Sequence, residues 1–533
     1  MEKTLKSKKL LALTKGIASF TGILLVLFIA FSCNNVLVKG GGSLIIATPG
    51  ARAASASSYT IELKGSNGTT QSKPLTSGTT VQFDDLAPDT YDIIVKGMDA
   101  SGAVVFYGTS SATVEAGERA SADVDLMKGV SDSEGLVEAI AAGGTVYIFE
   151  SIDVESGLIV GTTVEILPVY QDVTLTNKSS ENLFTVDTNG NLTIGGGEYT
   201  ITLDGNQVSQ SIIQISDSTS TVTLASNGII TNATASSVNM PKGGTFNMTG
   251  GSITGNSSIS ASAVDLVNGT FSMTGGVITG NRGNGVLLAT NSTFEMSSGS
   301  ITGNFNGVNG STGSQFTMTG GSISGHTDGG VRIDDSDSLF IMKGGKITGN
   351  TGYGVSVGLC EFVMEGGSIE GNSSNFQNPS GGGVYVQGSF TMKGGRIAGN
   401  IANTGGGVSI SSSGQFIMEG GLIEGNTAES LLGSGVYFGS GSGGDFTMSG
   451  SAVVAPDNDV YLNTSRIITV SDVLKGDAPV ATITPKEYTE GTQVLSAESG
   501  VDLAVMVEKF AVTPDTDGKK WTIDSSGNLQ QVQ

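Results

Sequence analysis

Histidine, tryptophan and cysteine are nearly absent from this chain of 533 residues, which contains one, one and two of them respectively. A single histidine cannot form the histidine clusters that bind catalytic zinc, and it is the only imidazole available to a Ser-His-Asp triad. That residue, His326, falls in a repeated position that asparagine fills elsewhere, so we predict a structural role for it. Two cysteines likewise exclude the disulfide framework of small secreted domains.

Basic side chains are also scarce, with 26 Lys and Arg against 49 Asp and Glu and a formal net charge of −23. The first 32 residues hold five Lys and one Glu, so their removal leaves −27. Such an acidic surface argues against nucleic acids and anionic polymers as partners. Apolar residues make up 38% of the chain, which is ample for a core and too little for further membrane spans.

What the sequence does have is a phrase repeated nine times between residues 244 and 456: Phe-x-Met followed by Gly-Gly-x-Ile-x-Gly-Asn. Successive copies are 22 to 30 residues apart, a period that indicates stacked structural repeats. The Phe anchors are Phe246, Phe271, Phe294, Phe316, Phe340, Phe362, Phe390, Phe416 and Phe446. The Met anchors are Met248, Met273, Met296, Met318, Met342, Met364, Met392, Met418 and Met448.

Each repeat predicts one coil made of three short strands. Residues two apart lie on the same side of a strand, so Phe and Met point inward together. Gly-Gly permits a tight corner, the following Ile is a second inward anchor, and Gly-Asn makes another corner before a third strand. The predicted fold class is therefore all-β, a right-handed parallel β-helix with coils of about 22–30 residues, preceded by a small β-sandwich.

Stacked coils place like residues on like. The asparagines of the Gly-Asn corner are predicted to form an amide ladder along the helix, with His326 as a substitute in the same column. The ladder residues are Asn256, Asn281, Asn304, Asn350, Asn372, Asn400 and Asn426. Extra residues after this corner predict loops at 373–382 and 427–434. Cys360 lies where other copies have Gly or Ser, so we predict a small-residue slot rather than a reactive thiol.

Weaker copies and caps extend the array. Leu192-Thr193-Ile194 and Val222-Thr223-Leu224 match the Phe-x-Met strand. Ser131 and Glu134 form a capping-box pattern, which predicts a short helix covering the N-terminal end. Phe510-Ala511-Val512 and Trp521-Thr522-Ile523 flank Pro514–Gly518, which predicts a hairpin over the C-terminal end.

The N-terminus has five lysines, an apolar stretch at 17–32 and then Cys33. This segment resembles a bacterial lipoprotein signal, which implies a signal peptide over 1–32, lipid modification of Cys33 and a tether over 33–43. An uncleaved anchor and an ordinary secretory signal are the alternatives.

Residues 44–127 contain LAPDTYDIIVKGMDASG, which resembles the signature of immunoglobulin-like or prealbumin-like β-sandwiches in bacterial surface proteins, with Asp89 in place of the usual Gly. Residues 130–465 are assigned to the β-helix and 466–533 to a β-rich C-terminal cap.

The GGxIxGN repeats resemble those of bacterial right-handed β-helix surface proteins, including the polymorphic outer-membrane proteins of chlamydiae and β-helix lipoproteins of treponemes. The resemblance implies a lipid-anchored protein of the outer membrane or cell surface, with a periplasmic orientation as an alternative. Its β-helix would act as a rigid scaffold for adhesion to glycans or to host or extracellular proteins. Nucleic acid is not a predicted partner. The protein would contact the membrane through the lipid attached to Cys33.

Two groups of charged residues are candidates for chemical sites. Asp334, Asp335 and Asp337 form the densest acidic run of the repeats, which is typical either of a cation site or of a solvated turn. The basic residues are Arg332, Lys343, Lys346, Lys393 and Arg396, and all but Arg332 alternate with glutamates in neighbouring coils. We therefore predict no catalytic residue, cofactor or metal site. A polysaccharide lyase or glycoside hydrolase, and a purely structural envelope protein, are the alternative functions.

Overall fold

The computed structural model describes residues 41–48, 56–76, 78–374, 381–441 and 443–533. These residues are nearly all β, with 4% helix. They form two compact units, divided between Met127 and Lys128. The signal segment and residues 33–40 of the predicted tether lie outside the described residues.

The first unit consists of two sheets that share one hydrophobic core. Tyr91 is buried in this core and donates a hydrogen bond from its hydroxyl to the carbonyl of Ala87, 3.0 Å away. Its assignment as immunoglobulin-like or prealbumin-like stays a prediction. The three-stranded sheet has the order Thr80–Leu86, Gly42–Ala47, Arg119–Asp123, and the five-stranded sheet has the order Thr70–Pro74, Ser58–Gly65, Asp89–Met98, Val104–Val114, Met127–Lys128.

The second unit is a parallel β-solenoid of about 14 turns. Most coils contribute one strand to each of three long sheets, and the last coils contribute to the first and third sheets only. The first sheet contains the Phe-x-Met strands, and its members pair in parallel with the residues of each repeat in register. Its strands are Gly144–Ile148, Thr163–Pro168, Asn191–Ile194, Thr221–Leu224, Thr245–Met248, Thr270–Met273, Thr293–Met296, Gln315–Met318, Leu339–Met342, Glu361–Met364, Ser389–Met392, Gln415–Met418, Asp445–Gly450, Ile468–Leu474 and Leu495–Ala497.

The second sheet follows the Gly-Gly corner and carries the inward Ile of each repeat. Its strands are Ile152–Val154, Val173–Asn177, Ile201–Asp204, Gly228–Thr231, Ser252–Thr254, Val277–Thr279, Ser300–Thr302, Ser322–Ser324, Lys346–Thr348, Ser368–Glu370, Arg396–Ala398, Leu422–Glu424 and Val453–Val454.

The third sheet follows the Gly-Asn corner and closes each coil. Its strands are Leu158–Val160, Phe184–Val186, Ile213–Ile215, Val238–Met240, Val264–Val267, Val286–Ala289, Asn306–Gly310, Gly329–Ile333, Val355–Val357, Val384–Val386, Val408–Ile410, Val436–Phe438, Asp459–Leu462, Ala481–Pro485 and Phe510–Val512.

The core is a set of stacked columns. The nine Phe anchors stack with ring centroids 4.6 to 5.0 Å apart and planes within 20° of parallel. The nine Met anchors and the repeat Ile residues are buried beside them, so the predicted facing of the Phe-x-Met strand is confirmed. The second glycine of each pair is required for two reasons, its positive φ and the lack of space for a Cβ. At Gly345, φ is +82°, and a Cβ would lie 2.6 Å from Cε of Met318 in the coil before.

A helix and extra coils cover the two ends. The helix Ser133–Ala142 packs Leu136 and Ile140 into the core, as predicted, but its N-cap is Asp132 and not Ser131. The Asp132 carboxylate accepts the amide of Gly135 at 2.8 Å, which gives the first turn its cap one residue later than the capping-box pattern indicates.

At the C-terminal end the sheets continue beyond residue 465, because Ile468–Leu474, Ala481–Pro485, Leu495–Ala497 and Phe510–Val512 pair in parallel with earlier strands. The predicted hairpin is wrong. Phe510–Val512 belongs to the third sheet, and Trp521–Ile523 pairs instead with Leu529–Gln531. The short helices Leu503–Met506 and Val507–Lys509 precede this last coil. Neither α-helix in the described part of the chain is long and apolar enough to cross a membrane.

Coils near the C-terminal end carry an outgrowth between the second and third sheets. The sequence predicted a loop at 427–434, but Thr427–Leu432 is a strand that pairs in parallel with Ile401–Thr404. Of the predicted loop at 373–382, residues 375–380 lie outside the described part, while Ser373 forms a bridge to Ile401. Repetition explains the difference, because extra residues in adjacent coils of similar length can pair with each other as the main strands do.

Candidate functional site

Of the two cysteines, the structure describes only Cys360. Cys33, the predicted lipidation site, lies outside the described residues. Cys360 is 5% exposed, and its Sγ donates to the carbonyl of Ile333 at 3.0 Å. Burial raises the pKa of the Cys360 thiol to about 12, so the thiolate needed for nucleophilic chemistry is not formed at neutral pH.

His326 and the repeat asparagines form one buried hydrogen-bonded ladder. Each Asn side-chain oxygen accepts the backbone N–H of the ladder residue one coil earlier, as between Asn372 and Asn400 at 3.0 Å. The side-chain amide of Asn372 also donates to Asn400 and to the carbonyl of Ile347. The predicted ladder is thus confirmed, and Asn458, which has no repeat motif around it, extends it by one coil.

The predicted acidic run lies at a corner and its carboxylates bind the chain itself. Asp334 accepts Nε of Arg332 at 2.7 Å, and Asp335 accepts both the amide and the hydroxyl of Thr312 at 3.0 Å. These bonds, the backbone one first, lower the pKa of Asp335. Asp337 adopts φ +68° in the same turn. Among the residues that the structure describes, no three His, Cys, Asp or Glu side chains are grouped so as to hold a metal ion.

The outer faces of the first and second sheets are repetitive. The second face carries a row of alternating charges in which Glu370 contacts Lys346 at 3.2 Å and Arg396 at 3.3 Å, and Arg396 contacts Glu424 at 2.6 Å. Lys343 and Glu365 form a similar but longer contact of 3.8 Å beside the first sheet. These exposed pairs support coil register and contribute roughly 0–1 kcal/mol each. Elsewhere the two faces carry mainly Ser and Thr, apart from the outward apolar residues Leu339, Ile341, Val363 and Ile417 on the first sheet.

The outer face of the third sheet differs from coil to coil. One column along it reads Asn309, Arg332, Ser356, Tyr385, Ser409, Tyr437, Tyr461 and Thr484, each aligned with the next by strand pairing. We call Tyr385, Tyr437 and Tyr461 the tyrosine row. All five tyrosines beyond residue 200 lie in this sheet or within three residues of one of its strands, including Tyr353 and Tyr488. Beyond residue 200, the tyrosines are therefore concentrated along the third sheet, whereas Tyr147, Tyr170 and Tyr199 of the first coils lie elsewhere.

The tyrosine row leads into a groove beside the C-terminal coils. Its floor is Tyr461 and Thr484, one wall is the outgrowth strand Thr427–Leu432, and the other wall is Tyr488 with residues 514–516. The ring of Tyr461 is stacked on that of Tyr437, with centroids 5.6 Å apart and planes 9° from parallel. Leu431, on the outgrowth, is 84% exposed. We refer to this feature as the tyrosine groove.

Polar groups in the groove are held in fixed positions. Oδ1 of Asp459 accepts the amide and the hydroxyl of Ser434, both at 2.7 Å, whereas its Oδ2 accepts no bond from any described residue. The hydroxyls of Tyr488 and Thr513 are 2.5 Å apart, and Thr513 is 3.2 Å from the Thr484 hydroxyl. Burial raises the pKa of Tyr461 and Tyr488, so both phenols stay protonated at neutral pH. The groove thus combines aromatic surface with hydroxyl and carboxylate groups.

The sequence analysis did not predict the tyrosine groove. The signal was a tyrosine between two apolar residues in three third-sheet strands: Val384-Tyr385-Val386, Val436-Tyr437-Phe438 and Val460-Tyr461-Leu462. Alternation places the middle residue on the outer face of the sheet, outside the core. Tyr385 and Tyr437 are half-buried there, and Tyr461 is 8% exposed. The walls of the groove had no sequence signal, because they come from the outgrowth and the last coils.

Comparisons with known proteins give no match for this chain, whether with protein-family models, curated proteins or solved structures.

Proposed function

We propose that the protein is a lipid-anchored scaffold of the bacterial cell envelope that binds its partner along the outer face of the third sheet. The observation that carries the proposal is the concentration of tyrosines on that one face. Tyrosine provides a large contact area with a polar end and loses little side-chain entropy on binding, which is why it is enriched at binding surfaces. Beyond residue 200, the strands of the other two sheets contain no tyrosine.

The solenoid supports binding because its surface positions are fixed. Each inner coil pairs with two neighbours in all three sheets, and the coils of the nine repeats also share the Phe and Met columns. Adjacent residues in the column that contains the tyrosine row are therefore about 4.8 Å apart, the spacing of paired strands. A surface of this kind has little conformational freedom to lose on association, which favours binding of an extended partner through several contacts.

Binding without turnover is part of the proposal. His326 is fully buried inside the ladder, and the cations of the second face are paired with glutamates. Asp459 is the groove carboxylate with one oxygen that accepts no bond from the described residues, so it is the residue on which the carbohydrate-active alternative would depend. Release of reducing sugars by the purified full chain, lost in Asp459→Asn, would establish that alternative and overturn binding without turnover.

The anchor has its own test. Cells expressing the full chain are labelled with a palmitate analogue, and the membrane fraction is compared for wild type, Cys33→Ala and the control Cys360→Ser. We expect label and membrane association in wild type and the control, and neither in Cys33→Ala. Unchanged labelling of Cys33→Ala would contradict the lipid anchor. Antibody staining of intact cells then separates display on the surface from a periplasmic orientation.

The binding proposal is tested with the purified full chain on an array of glycans and extracellular matrix proteins. Saturable binding to at least one component supports a binding scaffold. Absence of binding to every component would favour the purely structural envelope protein.

A further inference from the structure

We infer that the tyrosine groove binds a linear, neutral carbohydrate. The inference rests on the proposed function, because the groove is the C-terminal part of the same outer face of the third sheet. It goes further by assigning a ligand class to one site.

The first step is the chemistry of the groove surface. A pyranose ring presents C–H groups on its faces and hydroxyl groups around its edge. The groove is lined by the aromatic rings of Tyr461, which is 8% exposed, and Tyr488, and Tyr437 stacks on Tyr461 at its end. Aromatic rings pack against C–H surfaces. Around them lie groups that bond hydroxyls, namely the Thr484 hydroxyl and the carboxylate of Asp459. Sites for small ligands commonly combine such an apolar lining with a few placed polar groups.

The second step is the free hydrogen-bonding capacity. Ser434 binds one oxygen of Asp459 twice and so fixes the carboxylate, leaving Oδ2 without an intramolecular bond from any described residue. A fixed acceptor of this kind matches a sugar hydroxyl, which donates. By contrast, Asp515 in the far wall is fully used, because it accepts the amides of Asp517 and Lys519 and Nε1 of Trp521. Asp459 is therefore the residue that we assign to hydroxyl recognition.

The third step is charge. The groove contains Asp459 and Asp515 with Lys486, and the whole chain carries a net charge of −23. Long-range repulsion from such a chain disfavours uronic acids, sulfated glycans and other anionic polymers. A neutral sugar chain meets no such repulsion.

The fourth step is the direction of the ligand. Tyr385 and Tyr437 lie two coils apart in one column, with Ser409 between them. Two coils correspond to about 9.6 Å along the solenoid axis, at about 4.8 Å for each pair of neighbouring strands. An extended β-linked sugar chain advances by about one coil step for each pyranose, so Tyr385 and Tyr437 are about two sugar units apart. A linear chain lying parallel to the axis therefore keeps its sugar units in register with the coils.

Trp521 offers a direct readout, because it is the only tryptophan and it contacts the groove wall. Its ring lies 5.8 Å from that of Tyr488, and its Nε1 donates to Asp515 at 3.1 Å. The fluorescence of Trp521 in the purified full chain is titrated with cellohexaose, xylohexaose and mannohexaose, and with anionic hexagalacturonate. We expect a saturable change with at least one neutral hexasaccharide and none with hexagalacturonate.

Variants assign the signal to the groove. Tyr437→Thr removes one ring, and threonine fits this column because Thr484 already occupies it. Asp459→Asn keeps the oxygen that binds Ser434 and converts the free oxygen to a donor. We expect Tyr437→Thr to weaken binding at least tenfold and Asp459→Asn to weaken it as well. Tyr147→Thr, a matched change of a half-buried tyrosine in the strand Gly144–Ile148 of the first sheet, should leave the affinity unchanged.

The outcomes separate the two proposals. Absence of binding by all three neutral hexasaccharides, binding of hexagalacturonate alone, or equal affinity of wild type and Tyr437→Thr would overturn the carbohydrate inference. If Tyr437→Thr nevertheless abolishes binding to a matrix protein on the array, the third-sheet scaffold stands and only the ligand class is wrong.

Discussion

The Nδ1 atom of His326 accepts a hydrogen bond from the backbone N–H of Asn304 in the coil before it, at 3.1 Å. On the other side of the ring, Nε2 lies 3.1 Å from the carbonyl of Ile301. The ladder asparagines make the same two contacts, with Oδ1 as acceptor and Nδ2 as donor to an Ile carbonyl. The imidazole therefore reproduces these two bonds of the amide, provided that it is neutral and carries its proton on Nε2.

Protonation of His326 should destabilise the fold. Burial lowers the pKa of His326 from 6.5 to about 4, against smaller opposing effects of its bonds to Ile301 and Asn304. The unfolded chain thus binds the proton more readily than the folded chain between pH 6.5 and 4. The contribution of neutral His326 is complete above pH 6.5 and falls by about 3 kcal/mol as the pH drops to 4.

His326→Asn isolates this effect, since asparagine fits the ladder and does not titrate. Denaturant unfolding of both proteins at a series of pH values gives the difference in unfolding free energy. We expect the unfolding free energy of the variant to rise steadily relative to that of wild type from pH 7 to pH 4. The titration of the carboxylates affects both proteins equally, so it does not contribute to the difference. A difference that is constant over this range would contradict the buried, neutral histidine.

The amide ladder should be a large and local source of stability. Asn372 is fully buried and bonds residues of the coils on both sides, so Asn372→Ala leaves several polar groups unpaired. We expect a loss of at least about 2 kcal/mol in the free energy of unfolding. The matched change Asn247→Ala, on the outer face of the first sheet, should cost under about 0.5 kcal/mol. Similar losses in both variants would show that the ladder bonds are not formed in solution.

The facing of the Phe-x-Met strand gives a second contrast. Met364 is fully buried, so Met364→Asp places an unpaired charge in the core and should cost several kcal/mol. Thr391 lies between Phe390 and Met392 on the outer side, and Thr391→Asp should cost under about 0.5 kcal/mol. Thermal or denaturant unfolding measures both. Equal destabilisation would mean that the strand faces are assigned wrongly.

The charge row on the second face should matter little for stability. Arg396 contacts both Glu370 and Glu424, but its side chain is 46% exposed. We expect Arg396→Gln to lower the unfolding free energy by at most about 1 kcal/mol, and added salt to reduce the difference. A loss of several kcal/mol, insensitive to salt, would show that these pairs do more than support register.

The repeats allowed most of the fold to be predicted because the same residue types recur at the inward positions of nine repeats. Phe246 to Phe446 and the ladder from Asn256 to Asn426 follow directly from the period. Prediction failed where the pattern stops. Val470 occupies the Met position in the coil after Met448. Phe510–Val512 joins the third sheet without a repeat motif. The last coils were therefore interpreted as a separate cap with a hairpin.

The tyrosine groove was missed for a different reason. Tyr437, Tyr461 and Tyr488 are 24 and 27 residues apart and share no motif, so their contact depends on how the coils stack. The outgrowth wall depends on pairing between two segments that looked like loops. The charged candidates, Asp334 and Asp335, were noticed because they are adjacent in sequence, yet their carboxylates bind Arg332 and Thr312.

The most direct test of the account compares the three faces of the solenoid in binding. One outward residue on each sheet is changed to lysine in the full chain: Thr317 on the first, Thr302 on the second and Tyr437 on the third. Each protein is applied to the array of glycans and matrix proteins, after circular dichroism has confirmed that it is folded. We predict that Thr317→Lys and Thr302→Lys bind as wild type does, while Tyr437→Lys loses the signal. Retention of binding by Tyr437→Lys, or its loss in either of the other two variants, would contradict the third-sheet binding face.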